Sequence, residues 1–382
     1  MKVVVHTQDV VGERMAGPGI RAWHLAHELA RHAEVTLIAK RESASGQVGE
    51  WARSELLADS PTHPLAHFVA DGSLQARTAL RAADVLIGQP SRGFRRRRRE
   101  QKIVYDLFDP TVLELRELYG ASPSIRQRIH LAAEWMRLSE ALMSADLLMC
   151  AADKQRQFYE RLQSSDTRWI EVPFGVEIDN ACETPRDNIV IWGGGTWEWL
   201  DPAAAVDAVL RVNAEGVRCR LLFLGRSRPN RDLIDRRRED RFDELIRRGR
   251  GLVSANDEWV PYRERLSWLR SGKIAIMLHR RTGEAEYSIR TRLFDAIAAA
   301  TPVIASAGGF AADLVQQETL GIVVPPEDAG AVAQAIRRLL TDDDFRLRCV
   351  ANLERIRPRF AWDVVTQPLV DAVLTWRHQL QK

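Results

Sequence analysis

The chain has 382 residues, of which 45% are hydrophobic and 28% charged, and its formal net charge is +3. This length predicts two domains rather than one core, and so small a net charge argues against a nucleic-acid partner. Four scattered cysteines without metal-ligand or redox spacing predict buried thiols in a reducing compartment: Cys150, Cys182, Cys219 and Cys349. No run approaches the ~20 apolar residues of a membrane span, and the first residues predict a strand rather than a signal peptide.

The amino-terminal segment predicts a strand, a glycine loop, a helix and a second strand. The strand covers Val3–Val5, residues 6–15 predict an irregular connection, and Gly17-Pro18-Gly19 precede the helix. Glycines at this point let the backbone approach a ligand at the helix start. The loop lacks the third glycine of the dinucleotide fingerprint, and no acidic residue ends the second strand, which argues against a nicotinamide enzyme. The alternative is a tight turn with a surface arginine, Arg21.

Five consecutive arginines, Arg95–Arg99, follow a predicted strand over Ala83–Gly88. Such a block usually lies on a solvated face. The functional alternative is attraction to anionic lipid, worth about 1 kcal/mol per residue near such a surface. Phe94, beside the block, would then enter the membrane interface.

Two aspartates lie at the end of the next predicted strand, Lys102–Asp106. Asp106 and Asp109 fall on the side of a parallel sheet where ligands gather. They either bind the hydroxyl groups of a substrate or cap the following helix. Residues 177–187 are polar and predict a linker.

The second half of the chain begins with a strand followed at once by Gly193-Gly194-Gly195-Thr196. A triple glycine directly after a strand is costly unless the backbone must approach something closely. Backbone N–H groups in such a loop suit a diphosphate, and a plain tight turn is the alternative. A further predicted strand, Arg220–Gly225, is followed by Arg226.

The densest polar stretch of the chain runs from Glu284 to Gly309, and it opens with a predicted acidic loop. Ser288 is the predicted N-cap of a helix whose start would offer free N–H groups to an anion. Arg290 and Arg292 add fixed positive charge suited to phosphate, and Asp295 would accept hydrogen bonds from sugar hydroxyls. The alternative is a solvated helix end whose charges pair with each other.

The same stretch ends in a pattern that favours a ligand site. Thr301-Pro302 ends the helix, Val303–Ala305 predicts a buried strand, and Gly308-Gly309 predicts a turn. Loop, helix, strand and glycine turn in this order suit the edge of an open α/β sheet where ligands bind.

The stretch resembles the nucleotide-sugar motif of retaining glycosyltransferases with the GT-B fold, the family-four group. That motif has two glutamates separated by seven residues, the second at the start of a helix that ends in a small residue, proline and a β-branched run. Here Asp295 stands for the second glutamate and Tyr287 occupies the place of the first. Glu286 comes one residue earlier and Glu284 three residues earlier, and of these two Glu284 is the preferred partner of the donor.

The resemblance implies an α/β protein of the GT-B fold, with two Rossmann-like parallel-sheet domains facing across a cleft. The acceptor-binding domain would cover 1–178, with a carboxy-terminal helix, 360–382, packing back on it. The nucleotide-sugar-binding domain would cover 188–359. The implied enzyme is a cytoplasmic, metal-independent retaining hexosyltransferase of cell-surface polysaccharide biosynthesis. Its co-substrate is a nucleoside-diphosphate sugar and it needs no other cofactor.

The acceptor would be a hydroxyl of a glycan, a lipid-linked molecule or a small molecule. Arg95–Arg99 are the candidate for peripheral contact with an anionic membrane, and the oligomeric state is open.

The resemblance also assigns candidate roles to individual residues. The catalytic candidates are Glu284, Arg226 and Arg290. The donor-binding candidates are Gly17, Gly19, Gly194, Gly195, Thr196, Arg226, Trp259, Val260, Tyr262, Glu286, Ser288, Arg290, Thr291 and Asp295. The acceptor-binding candidates are Asp106, Asp109 and Phe174, and no metal ligand is predicted.

Two other functions stay open. A nucleotide-sugar epimerase of the same architecture would need no acceptor. A partner protein that keeps the fold and has lost catalysis is the second alternative, because the first glutamate of the motif and a lysine usual after the triple-glycine region are missing.

Overall fold

The protein is described by a computed structural model that covers residues 1–40, 66–163, 166–178, 186–225 and 236–380. Two compact units divide the chain. The first comprises Met1–Val112, Ala121–Gly175 and Trp362–Lys382, and the second comprises Leu113–Gly120 and Val176–Ala361. Cys182, Arg226 and most of the predicted linker lie outside the described residues.

The first unit is built on a sheet whose described strands are all parallel. In spatial order they are β3 (His67–Ala70), β2 (Glu34–Lys40), β1 (Lys2–Val10), β4 (Val85–Gly88), β5 (Lys102–Asp106), β6 (Leu147–Cys150) and β7 (Trp169–Glu171). The strand β1 runs on to Val10, so the prediction of an irregular connection from His6 was wrong. The polar His6 is tolerated inside the sheet because its Nε2 lies 3.5 Å from a carboxylate oxygen of Asp71.

The second unit is built on another sheet whose described strands are all parallel. In spatial order they are β10 (Val253–Ala255), β9 (Arg220–Phe223), β8 (Asp187–Trp192), β11 (Gly272–Met277), β12 (Val303–Ser306) and β13 (Gly321–Val324). Its central strands are apolar because helices cover both faces of a parallel sheet. The buried core includes Val190, Trp192, Leu221, Ile276 and Ile304.

The helices occupy the connections between these strands. In chain order they are α1 (Gly17–Ala30), α2 (Leu74–Ala82), α3 (Thr111–Tyr119), α4 (Ile125–Ser144), α5 (Asp153–Glu160), α6 (Pro202–Ala214), α7 (Arg236–Arg248), α8 (Arg265–Ser271), α9 (Gly283–Tyr287), α10 (Thr291–Ala298), α11 (Gly309–Gln317), α12 (Ala329–Thr341), α13 (Asp343–Ile356), α14 (Trp362–Val365) and α15 (Gln367–Leu380). Two 3₁₀ turns, Tyr262–Glu264 and Arg357–Phe360, precede α8 and α14. No described helix is long and apolar enough to cross a membrane.

The arginine block is held against the first unit by several of its members. Arg96 pairs with Asp146, and Arg98 donates to the carbonyl oxygens of Arg81 and Ala83. Phe94 is only 4% exposed, because its ring stacks on His6 at 5.1 Å between centroids and meets Tyr105 edge-on. The prediction that Phe94 would enter a membrane interface was therefore wrong.

Candidate active site

The loops that follow β8, β11 and β12 meet at one edge of the second sheet. Parallel strands present their carboxyl ends at the same edge, where α/β proteins bind ligands. The backbone N–H of His279, after β11, donates to Ser306 Oγ of β12 at 3.1 Å. Arg292 of α10 donates to the carbonyl oxygen of Gly195, after β8. These contacts bring the predicted glycine loop and the predicted polar stretch together.

The glycine loop after β8 keeps its backbone donors unused. Gly194 has φ +82°, a left-handed conformation that favours glycine. Among the described residues, none accepts a hydrogen bond from the amides of residues 193–196. The carbonyl oxygen of Gly195 is occupied, since Trp192 Nε1 donates to it at 3.2 Å in addition to Arg292. The loop therefore offers N–H groups, which suit an anion.

Arg292 lies at this edge and forms no ion pair with a described residue. Its guanidinium lies 5.1 Å from the ring centroid of Trp192, and its Nη1 is buried without a hydrogen-bond partner in the described structure. Burial, and next the charge of Arg290, lowers the pKa of Arg292 to about 9. A guanidinium is nonetheless charged at neutral pH. Asp295 and Glu284 offset only part of this lowering of the pKa, and a bound anion would stabilise the cation further.

Trp259 lies against the glycines of this edge. A Cβ atom placed on Gly225 would be 3.0 Å from Trp259 Cε3, and one placed on Gly194 would be 3.6 Å from Trp259 Cη2. The indole is partly exposed, so part of its surface is available to a ligand. The structure thus brings Trp259 together with Gly194, Gly195 and Arg292.

Tyr262 and Val260 have different surroundings from Trp259. Both are buried, and the guanidinium carbon of Arg265 lies 3.7 Å from the ring centroid of Tyr262. Burial raises the pKa of the Tyr262 hydroxyl well above its ordinary value. Of the two aromatic residues predicted for base stacking, Tyr262 is thus covered by the protein itself.

Asp295 is oriented by an arginine that the sequence analysis missed. Arg265 Nε donates to Asp295 Oδ1 at 3.0 Å, and Arg265 Nη2 lies 3.3 Å from Glu177 Oε2. Burial alone would lower the pKa of Arg265, but Tyr262, Asp295 and Glu177 together raise it above its ordinary value. No spacing in the sequence points to Arg265, because it comes 30 residues before Asp295.

Glu284 and Arg290 form a buried ion pair. Arg290 Nη1 and Nη2 donate to the two carboxylate oxygens at 2.6 and 2.7 Å, and Glu284 is 1% exposed. The alternative in which charges of this stretch pair with each other therefore holds for these two residues. Their predicted contact with a donor stays a prediction.

Ser288 does not cap a helix, and that prediction was wrong. The predicted acidic loop is the short helix α9, which Thr282 caps by accepting from the amide of Ala285 at 3.1 Å. Ser288 follows α9, and α10 begins at Thr291 with Arg290 in the N-cap position and no side-chain cap. The uncapped start of α10 at Thr291 lies two residues later than a helix capped by Ser288 would begin. Ser288 Oγ is buried without a hydrogen-bond partner in the described structure.

Glu286 lies beside the turn between β12 and α11. A Cβ atom on Gly308 would be 3.6 Å from Glu286 Oε2 and 3.7 Å from His279 Cε1. His279 is 4% exposed. Burial, and next the charge of Arg290, lowers its pKa, which favours the neutral ring. Its Nδ1 lies 3.0 Å from the carbonyl oxygen of Arg280, so Nδ1 carries the proton.

In the first unit, Arg21 is buried rather than on the surface, which corrects the tight-turn alternative. Its guanidinium donates to both carboxylate oxygens of Asp106, at 2.7 and 3.0 Å, and to the carbonyl oxygen of Pro173 at 3.1 Å. Asp106 therefore caps no helix. A small, partly open cavity of about 10 Å³ adjoins this pair and is lined also by His6, Thr7, Gly88 and Gln89.

The remaining predicted residues of the first unit are engaged in packing. Gly19 lies against β1, because a Cβ atom there would be 2.2 Å from the carbonyl oxygen of Val10, and Gly17 begins α1. Phe174 is 1% exposed and its ring meets Trp362 at 5.1 Å. Asp109 accepts a hydrogen bond at its backbone oxygen from Tyr159. Substrate contacts of these residues stay predictions.

Comparison with known sequences identifies a family for much of the second unit. Residues 187–342 match the family described as "Glycosyl transferases group 1". Over 78 residues the chain is also 31% identical to an uncharacterized glycosyltransferase of Methanocaldococcus jannaschii. That match covers 20% of this chain and spans 20% of the length of the curated relative. The family resemblance predicted from the sequence is confirmed.

Solved structures resemble the chain over nearly its whole length. HepE of Anabaena in complex with UDP-glucose aligns with a TM-score of 0.70 at 12% identity, over 98% of this chain and 100% of that chain. WaaG, a glycosyltransferase involved in lipopolysaccharide biosynthesis, aligns with a TM-score of 0.67 at 15% identity, over 97% of this chain and 99% of that chain. Sucrose-phosphate synthase from Thermosynechococcus elongatus aligns with a TM-score of 0.66 at 16% identity, over 99% of this chain and 98% of that chain. At these identities the likeness shows the fold, and the predicted GT-B fold with two Rossmann-like parallel-sheet domains is confirmed.

Proposed function

We propose that this chain, whose residues 187–342 belong to the group 1 glycosyltransferases, transfers a hexosyl unit from a nucleoside-diphosphate sugar to an acceptor hydroxyl. The observation that carries the proposal is the pairing of Arg292 with the glycine loop. The half-buried Arg292, whose Nη1 has no hydrogen-bond partner in the described structure, adjoins a loop whose amides find no acceptor among the described residues. A diphosphate would supply negative charge to the guanidinium and acceptor oxygens to the guanidinium and the loop amides.

The roles of the donor-site residues follow from their surroundings. Arg292, the amides of Gly194 and Gly195 and the uncapped start of α10 at Thr291 would stabilise the charge that develops on the leaving diphosphate. Asp295, oriented by Arg265, would bind the ribose hydroxyls, and Trp259 would lie against the base. Ser288 and Thr196 lie at the edges of this group.

Glu286 is our choice for the acid that faces the sugar, because both oxygens of Glu284 already bind Arg290. Glu284 would then act as a positioning residue. It holds Arg290, and with it the connection from α9 to α10.

The reaction would retain the anomeric configuration and use no metal, as likeness to the family implies. The acceptor oxygen forms a bond to the anomeric carbon on the face from which the diphosphate leaves. The bond to the diphosphate oxygen breaks, and that oxygen takes the acceptor's proton. Guanidinium and amide groups supply the stabilising charge in this scheme.

The acceptor would bind in the first unit, where the cavity beside Asp106 and Arg21 offers charged and polar groups to hydroxyls. A glycan, a lipid-linked molecule or a small molecule would each supply such a hydroxyl. We place the enzyme in cell-surface polysaccharide biosynthesis, acting in the cytoplasm and at the membrane surface.

A panel of nucleoside-diphosphate sugars, screened by thermal unfolding, tests the donor site. A true donor raises the melting temperature, because a ligand that binds only the folded state stabilises it. We expect Arg292→Ala to abolish that rise while leaving the ligand-free protein about as stable, since it removes a charge that Asp295 and Glu284 offset only in part. Arg355→Ala, which removes an exposed arginine paired with Glu318 in the same unit, is the matched control and should behave as the wild type.

Product analysis then separates the three functions. With the stabilising donor and a panel of acceptors, the proposed enzyme forms a glycoside of unchanged anomeric configuration, seen by proton NMR, in the presence of EDTA. Conversion of the donor without an acceptor would indicate an epimerase. Donor binding without turnover over the whole panel would indicate a binding protein, and equal stabilisation of the Arg292→Ala variant would refute the assigned site.

A further inference from the structure

We propose that helix α4 docks the protein onto an anionic lipid surface through an apolar stripe on its outer face. The stripe consists of four large side chains, Ile125, Ile129, Met136 and Met143, which are 77%, 65%, 73% and 63% exposed. Isolated exposed apolar residues are ordinary, but four large ones on the same side of one helix mark a candidate interaction surface.

The spacing of the four residues places them on one side of the helix. They follow each other at intervals of about four, seven and seven residues, which brings each residue back to the same face. At 1.5 Å per residue the stripe is about 27 Å long. The opposite face of α4 is buried through Leu138, Ala141 and Leu142, so α4 is anchored in the first unit and the stripe points away from its core.

Arginines flank both ends of the stripe. Arg126 and Arg128 are exposed near its start. At its other end Arg96 donates to the carbonyl oxygen of Ser144, the last residue of α4, at 3.2 Å. This contact brings the arginine block, Arg95–Arg99, next to Met143. Arg95 and Arg99 are exposed, and neither forms an ion pair with a described residue.

Acidic groups offset only part of this charge. The two acids of α4 are Glu134 and Glu140. Glu134 pairs with Arg137 and lies 3.2 Å from His130, so its charge is compensated. Glu140 is exposed between Met136 and Met143, and Glu100 is exposed next to Arg99. The exposed arginines Arg95, Arg99, Arg126 and Arg128 outnumber these two acids, so the surface around the stripe is basic as well as apolar. That combination suits a helix lying in the plane of an anionic membrane, with apolar side chains in the acyl boundary and arginines at the phosphates.

A second copy of the chain is a poorer occupant of this face. A twofold interface places the same surface against itself, so the arginines at the ends of the stripe would face other arginines. An anionic bilayer instead satisfies the apolar and the charged part together. This inference does not depend on the proposed transfer reaction.

Vesicle co-sedimentation of the full chain tests the proposal without an activity measurement. We expect the wild type to bind phosphatidylcholine vesicles that contain phosphatidylglycerol and to be released from them by high salt. Its binding to pure phosphatidylcholine vesicles should be about tenfold weaker or more. Arg95→Gln with Arg99→Gln should weaken binding about 25-fold, at about fivefold per charge. Ile129→Ser with Met136→Ser should weaken it about tenfold or more.

Leu347→Ser is the matched control, because Leu347 is an apolar residue of α13 in the second unit that is 55% exposed. It should bind as the wild type does, and circular dichroism should show all variants folded. Equal binding of Ile129→Ser with Met136→Ser and wild type would overturn the proposal, as would equal binding to both lipid mixtures. A wild-type dimer that this double substitution dissociates, with no vesicle binding, would assign the face to a second copy instead.

Discussion

Arg290 and Arg292 stand two positions apart at the start of α10 and have different surroundings. Arg290 gives both terminal nitrogens to Glu284. Arg292 forms no ion pair with a described residue and directs Nη2 to the carbonyl oxygen of Gly195. Residues i and i+2 of a helix do not share a face, so Arg290 is directed to α9 and Arg292 to the glycine loop.

Glu284→Ala should lower the free energy of unfolding by about 3–5 kcal/mol, because removing one partner of a buried pair leaves the other charge uncompensated. Glu284→Leu combined with Arg290→Met should recover most of that loss. Urea denaturation measures both. The matched control is Glu318→Ala, which breaks the exposed pairs with Arg355 and Arg359 and should cost at most about 1 kcal/mol. A loss for Glu284→Ala no larger than the control's would show that the pair carries little stability.

At the scale of elements, the turn from β12 to α11 depends on two glycines with positive φ. Gly308 has φ +116° and Gly309 has φ +69°. A Cβ atom on Gly309 would lie 2.5 Å from the carbonyl oxygen of Ala285 in α9. The turn thus lets α11 begin close against α9, which carries Glu284 and Glu286.

Gly309→Ala should therefore destabilise the protein by more than about 1 kcal/mol, since the new methyl group meets both an unfavourable φ and the backbone of α9. Gly283→Ala is the matched control within the same cluster of helices. Gly283 begins α9, has no positive φ and has open space at its Cβ position, so the change should stay within about 0.5 kcal/mol. Thermal unfolding measures the melting temperature of both variants. An unchanged melting temperature for Gly309→Ala would show that α9 shifts to accommodate the methyl group without loss of stability.

At the scale of the whole molecule, buried thiols report on the packing of both units. Cys150 lies in the first unit, and Cys219 and Cys349 lie in the second. All three are free and buried. Burial raises the pKa of Cys150 to about 12 and the pKa values of Cys219 and Cys349 to about 11.

A Cys182→Ser variant should accordingly label very slowly with a thiol reagent at pH 8, because the thiolate is the reactive form and little of it is present. Labelling should become complete in denaturant. Mass spectrometry of labelled peptides assigns the rate to each cysteine. Rapid labelling of Cys150 in the native protein would show that the core of the first unit is open, while rapid labelling of Cys219 or Cys349 would show the same for the second.

Much of the architecture is predictable because it is encoded locally. Short apolar runs, glycine loops and amphipathic helices alternate along the chain, and each signal is contained within a few residues. The break at Thr301-Pro302 and the strand after it are found where the pattern predicts them. The boundary between α9 and α10 is not, because Ser288 and Thr282 both have the chemistry of a cap and only the packing of the chain selects Thr282.

The sequence by itself determined the α/β repetition, the glycine turns and the likeness of residues 187–342 to the group 1 glycosyltransferases. Only the tertiary structure decided which charged groups form ion pairs with one another. Arg21 meets Asp106 across 85 positions and Arg265 meets Asp295 across 30. Such pairs exist because a parallel sheet brings helices and strand ends that are distant in sequence close together, and no local pattern records which of them meet.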